Sequence, residues 1–156
     1  MRGKKAPKRK INPDPRYTNV NVAKFINYVM RKGKKTVAQS VVYKALDIIA
    51  EKSQQDPLNV FDTAIKNVSP ILEVKSRRVG GANYQIPMPV RGERKYNLAC
   101  NWIIQAAKSR KGQPMRQKLA QELMEAANNQ GVAIKKRQDV HRMAEANRAF
   151  AHFARF

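Results

Sequence analysis

The sequence has few of the residues from which disulfides, metal sites and active sites are usually built. Its 156 residues include one cysteine, Cys100, and two histidines, His141 and His152. One cysteine forms no intrachain disulfide and supplies no cysteine pair for a metal, which weakly favours a reducing compartment. A glycine-rich phosphate loop of the P-loop kind is also missing. We therefore expect no metal site, no cofactor and no enzymatic activity.

Long apolar runs are missing as well. No stretch reaches about 18 apolar residues, and the basic residues after Met1 do not lead into an apolar signal segment. We expect a protein that is neither secreted nor membrane-spanning. The default location is the cytoplasm, with a plastid stroma or mitochondrial matrix left open.

Negative charge is scarce. The chain has 32 Lys and Arg but only 11 Asp and Glu, which gives a formal net charge of +21. A charge of this size repels itself unless a polyanion neutralises it. Any one basic cluster is commonly a solvated surface, but solvated surfaces mix both signs. Taken together, the clusters predict binding to nucleic acid and not to a membrane.

Basic residues are densest in the first sixteen positions, which include three prolines and almost no apolar side chain. This composition is typical of a disordered basic arm. Residues 17–156 contain no internal repeat and no linker rich in Gly or Ser. We therefore predict one domain that follows the arm.

Apolar side chains recur at helical spacing in the first half of that domain. A stripe from Val22 to Met30 predicts a first helix, capped by Asn19 or Asn21 and stopped at Gly33. A second helix is predicted from a Thr36 cap to about residue 51. A third is predicted to begin with Asp56 as N-cap and Pro57 at its first position, and to end before Pro70.

Between residues 71 and 90 the apolar period drops to two, which predicts a two-stranded β-hairpin. Pro87 and Pro89 cannot donate to a strand ladder, so we expect the hairpin to project as an arm. Arg77 and Arg78 are consecutive in a strand and point to opposite faces, so a hairpin inserted between two RNA elements could contact both. We expect both arginines at the base of the hairpin, below a tip over residues 80–85.

Helical spacing returns after the hairpin. We predict a fourth helix that ends at Gly112, a fifth from Met115 to Ala127, and a sixth over about residues 132–150. The apolar stripe of the sixth comprises Val132, Val140, Met143 and Ala144. The predicted fold class is mainly α: a single helical domain of about six helices, a protruding two-stranded β-hairpin arm and a basic disordered N-terminal arm.

Three groups of residues allow more than one interpretation, and Cys100 allows one. Glu122 and Glu125 lie one helical turn apart and could hold Mg²⁺, although a pair that faces solvent is commoner. His141 could act as an acid or base, but on a basic helix a phosphate contact is commoner. Cys100 is interpreted as a small core residue. Four aromatic residues could stack on unpaired bases or pack in a core: Tyr84, Phe150, Phe153 and Phe156.

Three stretches of sequence carry a resemblance to a known family. They are VAKFINYVMRKGKKTVAQSVVYKAL (residues 22–46), VKSRRVGGANYQIPMPV (residues 74–90) and HRMAEANRAFAHF (residues 141–153). The chain resembles, over residues 12–156, the family of bacterial-type small-subunit ribosomal protein number seven. It departs from the family pattern at Asn21 and in its last three residues, Ala154, Arg155 and Phe156.

The resemblance implies a helical domain with a protruding hairpin that works as a structural component of the small ribosomal subunit. Members bind the 3′ major domain of 16S rRNA as primary binders, nucleate assembly of the head, line the tRNA exit site and contact neighbouring proteins of the head and platform, each as a monomer within the ribosome. Some bacterial members also repress their own mRNA, which we leave open here.

The family's RNA-facing surfaces fall on one set of basic residues in this chain: Arg2, Lys4, Lys5, Lys8, Arg9, Lys10, Lys34, Lys35, Arg77, Arg78, Arg94, Lys95, Lys135, Arg137 and Arg142. The hairpin tip would approach exit-site tRNA or an adjacent protein, and it comprises Gly80, Gly81, Ala82, Asn83, Tyr84 and Gln85.

Two other classes of protein stay open at this point. A non-ribosomal architectural DNA-binding protein would share the charge but would need a recognition helix. An RNA-processing enzyme would depend on Glu122, Glu125 or His141. Retention of structured RNA over duplex DNA at equal salt would separate the first class from an RNA-binding protein.

Overall fold

The structure is a computed structural model that describes Gly3 and residues 9–155, the last two of these by backbone alone. The chain divides into two compact units, residues 1–40 and residues 41–156. Four basic residues predicted to bind RNA from the arm, Arg2, Lys4, Lys5 and Lys8, lie outside the described residues, as does Phe156.

The first unit contains helix α1 (Val20–Val29) and the start of helix α2 (Lys35–Ser53). The side chain of Asn19 accepts a hydrogen bond from the Asn21 backbone N–H at 2.7 Å, so Asn19 and not Asn21 is the N-cap. Thr36 lies inside the first turn of α2, and its predicted role as cap is wrong. The reason is that α2 starts one residue earlier, directly after the turn around Gly33.

The second unit holds four further α-helices and the hairpin. Helix α3 (Pro57–Val68) begins as predicted, because Asp56 Oδ1 accepts from the Leu58 N–H at 3.1 Å and Pro57 occupies the first turn. Helices α4 (Gly92–Ser109), α5 (Met115–Ala127) and α6 (Val132–Ala146) follow the hairpin. Their apolar faces form a core that includes fully buried Phe61, Ile103, Leu119 and Leu123.

The sixth helix is shorter than predicted. It ends at Ala146, and the chain continues as a 3₁₀ helix (Arg148–Arg155), which we call the C-terminal 3₁₀ segment. Val132 and Met143, which we placed in its apolar stripe, are 52% and 47% exposed. Its buried side consists of Ala133, Ile134 and Ala144, so Ala144 is buried as predicted and Val132 and Met143 are not.

The hairpin consists of antiparallel strands β1 (Leu72–Val79) and β2 (Ala82–Pro89). Gly80 and Gly81 have φ values of +56° and +89°, so the chain reverses through the left-handed region that glycine adopts readily. Strand β2 packs on the C-terminal 3₁₀ segment, and β1 packs on α6.

Within the described residues the secondary structure comprises six α-helices, one 3₁₀ helix and one two-stranded sheet, which confirms the predicted mainly helical fold class with a hairpin. In the same part of the chain we find no helix with the length and apolar character needed to cross a bilayer. The predicted boundary between arm and domain at residue 16 stays a prediction.

Candidate nucleic-acid interface

The predicted RNA-binding residues of the first unit lie on its surface. Arg9 and Lys10 are exposed in the segment that precedes α1, and Lys34 and Lys35 are exposed where α1 turns into α2. Their ammonium and guanidinium groups are therefore accessible to a phosphate backbone, which Lys neutralises as a point charge and Arg binds in bidentate geometry.

Helix α6 carries three predicted RNA-binding residues with different surroundings. Lys135 and Arg142 are exposed on its outer side, and Arg142 makes only a loose 3.8 Å pair with Asp139. Arg137 instead donates a hydrogen bond from Nη1 to the carbonyl oxygen of Asn67 at the end of α3. Arg137 therefore has a structural partner that the sequence did not reveal, whereas Lys135 and Arg142 are accessible to a polyanion.

At the base of the hairpin a buried carboxylate binds two cations. Glu73 in β1 accepts from Arg94 Nε and Nη2 of α4 at 3.2 and 3.1 Å, and it pairs with Lys75 Nζ at 3.0 Å. Burial acts to raise the pKa of Glu73, but the hydrogen bonds and charges of Lys75 and Arg94 outweigh it and hold this pKa below its usual 4.5. Arg94 thus joins the hairpin to α4, and the neighbouring predicted residue Lys95 is half-buried.

The arginine pair lies nearer the tip of the hairpin than we expected. In the strand register Arg77 faces Tyr84 and Arg78 faces Asn83, directly beside the closing pair Val79 and Ala82. The sequence interpretation placed both arginines at the base, which is wrong. We expected the tip to span residues 80–85, which left the arginines near the base. The turn itself comprises only Gly80 and Gly81, so the strands pair up to Val79 and Ala82.

One face of the hairpin is covered by the C-terminal 3₁₀ segment. The ring of Tyr84 lies 5.2 Å from that of Phe150 and 5.1 Å from that of Phe153, measured between centroids. Arg77 Nη1 donates to the Phe153 carbonyl oxygen at 3.4 Å. We call Tyr84, Phe150 and Phe153 the aromatic cluster. Both arginines are exposed, and only Arg77 of the two makes the hydrogen bond to the Phe153 carbonyl oxygen.

The predicted tip residues differ in exposure. Tyr84 is half-buried in the aromatic cluster, while the other five are exposed: Gly80, Gly81, Ala82, Asn83 and Gln85. The tip therefore offers a tRNA or protein mainly backbone atoms, small side chains and the amide side chains of Asn83 and Gln85.

A buried ion-pair network at the end of α5 was missed by the sequence analysis. Glu122 is 0% exposed, and its Oε2 accepts from Arg110 Nε and Nη2 at 3.1 and 2.6 Å. Glu125 accepts from the same Arg110 Nη2. Burial acts to lower the pKa of Arg110, but the hydrogen bonds and charges of Glu125 and Glu122 outweigh it and raise this pKa above its usual value. The expected solvent-facing carboxylate pair is wrong, because both carboxylates bind Arg110 and Glu122 is fully buried.

The same network fixes the start of α6. Glu122 Oε1 accepts from the Ala133 N–H at 2.9 Å and so supplies a cap that Gly131 has no side chain to provide. A carboxylate at this position also complements the positive end of the helix dipole. A Cβ on Gly131 would come within 3.0 Å of Glu122 Oε1, so a larger residue would push the carboxylate away.

His141 holds the middle of α6 against the start of the hairpin. Its Nε2 accepts a hydrogen bond from the Ile71 backbone N–H at 3.1 Å, which requires a ring nitrogen without a proton. Burial, and secondly the positive charge of Arg137, lower the pKa of His141 below its usual 6.5. The ring proton of the neutral imidazole therefore lies on Nδ1, and Nε2 is occupied by the Ile71 N–H.

Cys100 and possible groups of metal ligands are the remaining features that could support catalysis. Cys100 is buried, and burial raises the pKa of its thiol to about 12, which keeps it protonated. Across residues 9–155 no three side chains of His, Cys, Asp or Glu come together in a way that would hold a metal ion.

Comparison of the sequence with known proteins shows to which family the chain belongs. Residues 1–148 match the family described as ribosomal protein S7p/S5e. Small ribosomal subunit protein uS7 of Thermotoga neapolitana is 59% identical over 153 residues, which cover 98% of this chain and 99% of that protein. The uS7 proteins of Thermotoga maritima and Dechloromonas aromatica are 58% and 56% identical, with 98% and 97% of this chain covered and 99% and 97% of the relatives. The chain therefore belongs to the ribosomal protein S7p/S5e family.

Proposed function

We propose that this protein is a structural component of the small ribosomal subunit that binds ribosomal RNA and performs no catalysis. The observation that carries the proposal is the match to the family over residues 1–148, together with relatives that are named small ribosomal subunit proteins. A net charge of +21 fits an RNA partner, because such a charge is favourable only beside a polyanion.

The proposed RNA-binding surface has two parts, one on each unit. On the first unit it comprises the exposed cations Arg9, Lys10, Lys34 and Lys35. On the second it comprises Lys135 and Arg142 of α6 together with Arg78 of the hairpin, all of which are exposed. Arg94 and Arg137 support this surface through their bonds to Glu73 and Asn67, so we assign them to its construction rather than to direct binding.

The finer proposal follows from the resemblance. The protein binds the 3′ major domain of 16S rRNA early, nucleates the head of the subunit, and meets exit-site tRNA and neighbouring ribosomal proteins through the hairpin tip, in the cytoplasm and as a monomer within the ribosome. Repression of its own mRNA would use the same basic surface.

Co-sedimentation tests the general proposal. Tagged protein expressed in bacterial cells should travel with small subunits through a sucrose gradient and be released at high salt. Purified protein should retain a transcript of the rRNA 3′ major domain over duplex DNA of equal length at equal salt. Absence from the small-subunit peak, or equal retention of duplex DNA, would favour the architectural alternative.

To test the role of the hairpin tip, a variant must shorten the tip and leave the aromatic cluster in place. Deleting Val79 and Ala82 together removes one cross-strand pair and keeps Arg77 opposite Tyr84. We expect nearly unchanged affinity for the naked rRNA domain and reduced exit-site tRNA occupancy in reconstituted subunits. Loss of rRNA affinity with unchanged tRNA occupancy would contradict the assignment.

A further inference from the structure

A cavity of about 560 Å³ lies in the first unit, between the segment that precedes α1 and the helices that follow it. Its volume falls within the range of roughly 300–1,000 Å³ that is usual for small-ligand sites. A cavity of this kind can enclose one nucleotide but not a double helix. We propose that it binds one unpaired nucleotide of the RNA that the protein holds.

The base would be recognised by amide side chains. Asn12 lines the cavity from the segment before α1, Asn27 from α1 and Gln39 from α2. Each amide carries both a donor and an acceptor, which is the combination that Watson–Crick and Hoogsteen edges require. Unpaired nucleotides expose these edges, whereas in an A-form helix the Watson–Crick edges are paired and the Hoogsteen edges lie in a deep, narrow major groove that side chains cannot read.

Apolar and charged side chains complete the cavity. Ile11, Pro13 and Ile26 provide hydrocarbon surface against which the faces of a base can lie. Arg9, Lys10 and Lys35 also line it, and their positive charges can neutralise the phosphates on either side of a bound base. Together the apolar, amide and cationic walls match the face, the edge and the flanking phosphates of one nucleotide.

The wall before α1 is held in place by a buried carboxylate. Asp14 is 2% exposed, and its Oδ2 accepts from the Arg16 and Tyr17 N–H groups at 3.1 and 3.2 Å. The Thr18 N–H donates to the Asp14 carbonyl oxygen at 2.8 Å, which closes a turn directly before the Asn19 cap. This turn fixes the wall from Asp14 to Asn19 without RNA, so the end of the predicted arm is ordered and this part of the cavity is formed before a nucleotide enters.

This inference rests on the proposed function, and its test uses the full chain with a transcript of the rRNA 3′ major domain. Asn27→Leu and Gln39→Leu remove amides without changing charge. We expect each to weaken binding by roughly five- to a hundredfold, as for the loss of a base-specific contact. The slope of log affinity against log salt should stay unchanged, because no phosphate contact is lost. Lys35→Ala should instead reduce that slope by about 0.7 to 0.9.

The matched control is Asn21→Leu, which alters an exposed amide in the same helix outside the cavity and should leave affinity unchanged. Thermal melts monitored by circular dichroism establish that each variant is folded. Affinity within twofold of wild type for both cavity variants, or an equal loss for Asn21→Leu, would overturn the proposal. Failure of the wild-type protein to bind the transcript would instead overturn the proposed function.

A second measurement identifies the nucleotide. 2-Aminopurine placed in turn at each unpaired position of the transcript reports the environment of that base. One position should change its fluorescence with wild-type protein, and the change should disappear with Asn27→Leu. Separate titration with nucleoside monophosphates should show no tight binding. Tight binding there would mean that the cavity serves a free metabolite, and an unchanged fluorescence at every position would contradict the proposal.

Discussion

The carboxylate of Glu122 accepts a hydrogen bond at 2.9 Å from the backbone N–H of Ala133, in the first turn of α6. The same carboxylate is bound by Arg110 at the end of α4. One buried acid therefore joins three helices, and the orientation of the exposed basic side of α6 depends on it.

Replacement of Glu122 should destabilise the fold. Glu122→Gln removes one of the two carboxylate charges that pair with Arg110 and leaves Glu125 in place, so we expect a loss of about 1–3 kcal/mol in the free energy of unfolding, measured by urea denaturation. The matched control is Glu145→Gln, because Glu145 makes only an exposed pair with Arg148. That variant should lose no measurable stability. Similar losses in both variants would contradict the assignment.

Stability should also depend on the protonation of His141. The folded-state pKa lies below the usual 6.5, so the unfolded chain takes up the proton first as the pH falls. The free energy of unfolding should therefore decrease as the pH drops through about 6.5, and level off below the folded-state pKa. His141→Gln should flatten this part of the profile in urea titrations, whereas His152→Gln should keep it. An unchanged profile in His141→Gln would show that another group is responsible.

Replacing two arginines of α6 should affect two different properties of the protein, its RNA binding and its stability. Arg142→Ala removes an exposed cation, so we expect weaker rRNA binding with a salt slope lower by about 0.7 to 0.9 and unchanged stability. Arg137→Ala removes the bond to the Asn67 carbonyl oxygen, so its main effect should be a lower melting temperature. Fluorescence anisotropy over a series of salt concentrations and thermal melts separate the two. Indistinguishable results for both variants would refute the division.

Wild-type binding should itself be steeply salt-dependent. A protein that neutralises six to ten phosphates loses on the order of a thousandfold or more in affinity between about 50 and 200 mM salt. We expect a loss of this size for the rRNA transcript, measured by filter binding. A flat profile would mean that the charge of the chain does not contact the RNA backbone.

The aromatic cluster should control the order of the C-terminal 3₁₀ segment. Tyr84→Ala removes two ring contacts, each worth about 0.5–1.5 kcal/mol beyond burial, and should speed hydrogen exchange in that segment. Tyr84→Phe keeps the ring and serves as the control. Equal exchange in Tyr84→Ala and wild type would show that the segment is held by other contacts.

Local signals in the sequence predicted most elements of the fold. Asp56 followed by Pro57 specifies the start of α3 by itself, because both residues act on the backbone next to them. The network around Glu122 could not be predicted in this way. Its partners Arg110 and Ala133 are 12 and 11 residues away, and only the packing of three helices brings them together. The basic residues of the surface were identified by charge, but the partners of Arg94 and Arg137 lie 21 and 70 residues away and could not be predicted from it.

The aromatic cluster sets an order of events during biosynthesis. Tyr84 leaves the translating ribosome well before Phe150 and Phe153, the rings that hold it. The β-hairpin is therefore made early and stays unsupported on that face until the last residues of the chain emerge, and an isolated two-stranded ribbon is marginally stable in water. A nascent chain stalled before residue 148 would carry every predicted cation of α6 and the hairpin but would lack the C-terminal 3₁₀ segment. Whether the hairpin is ordered therefore reports whether synthesis has passed that point.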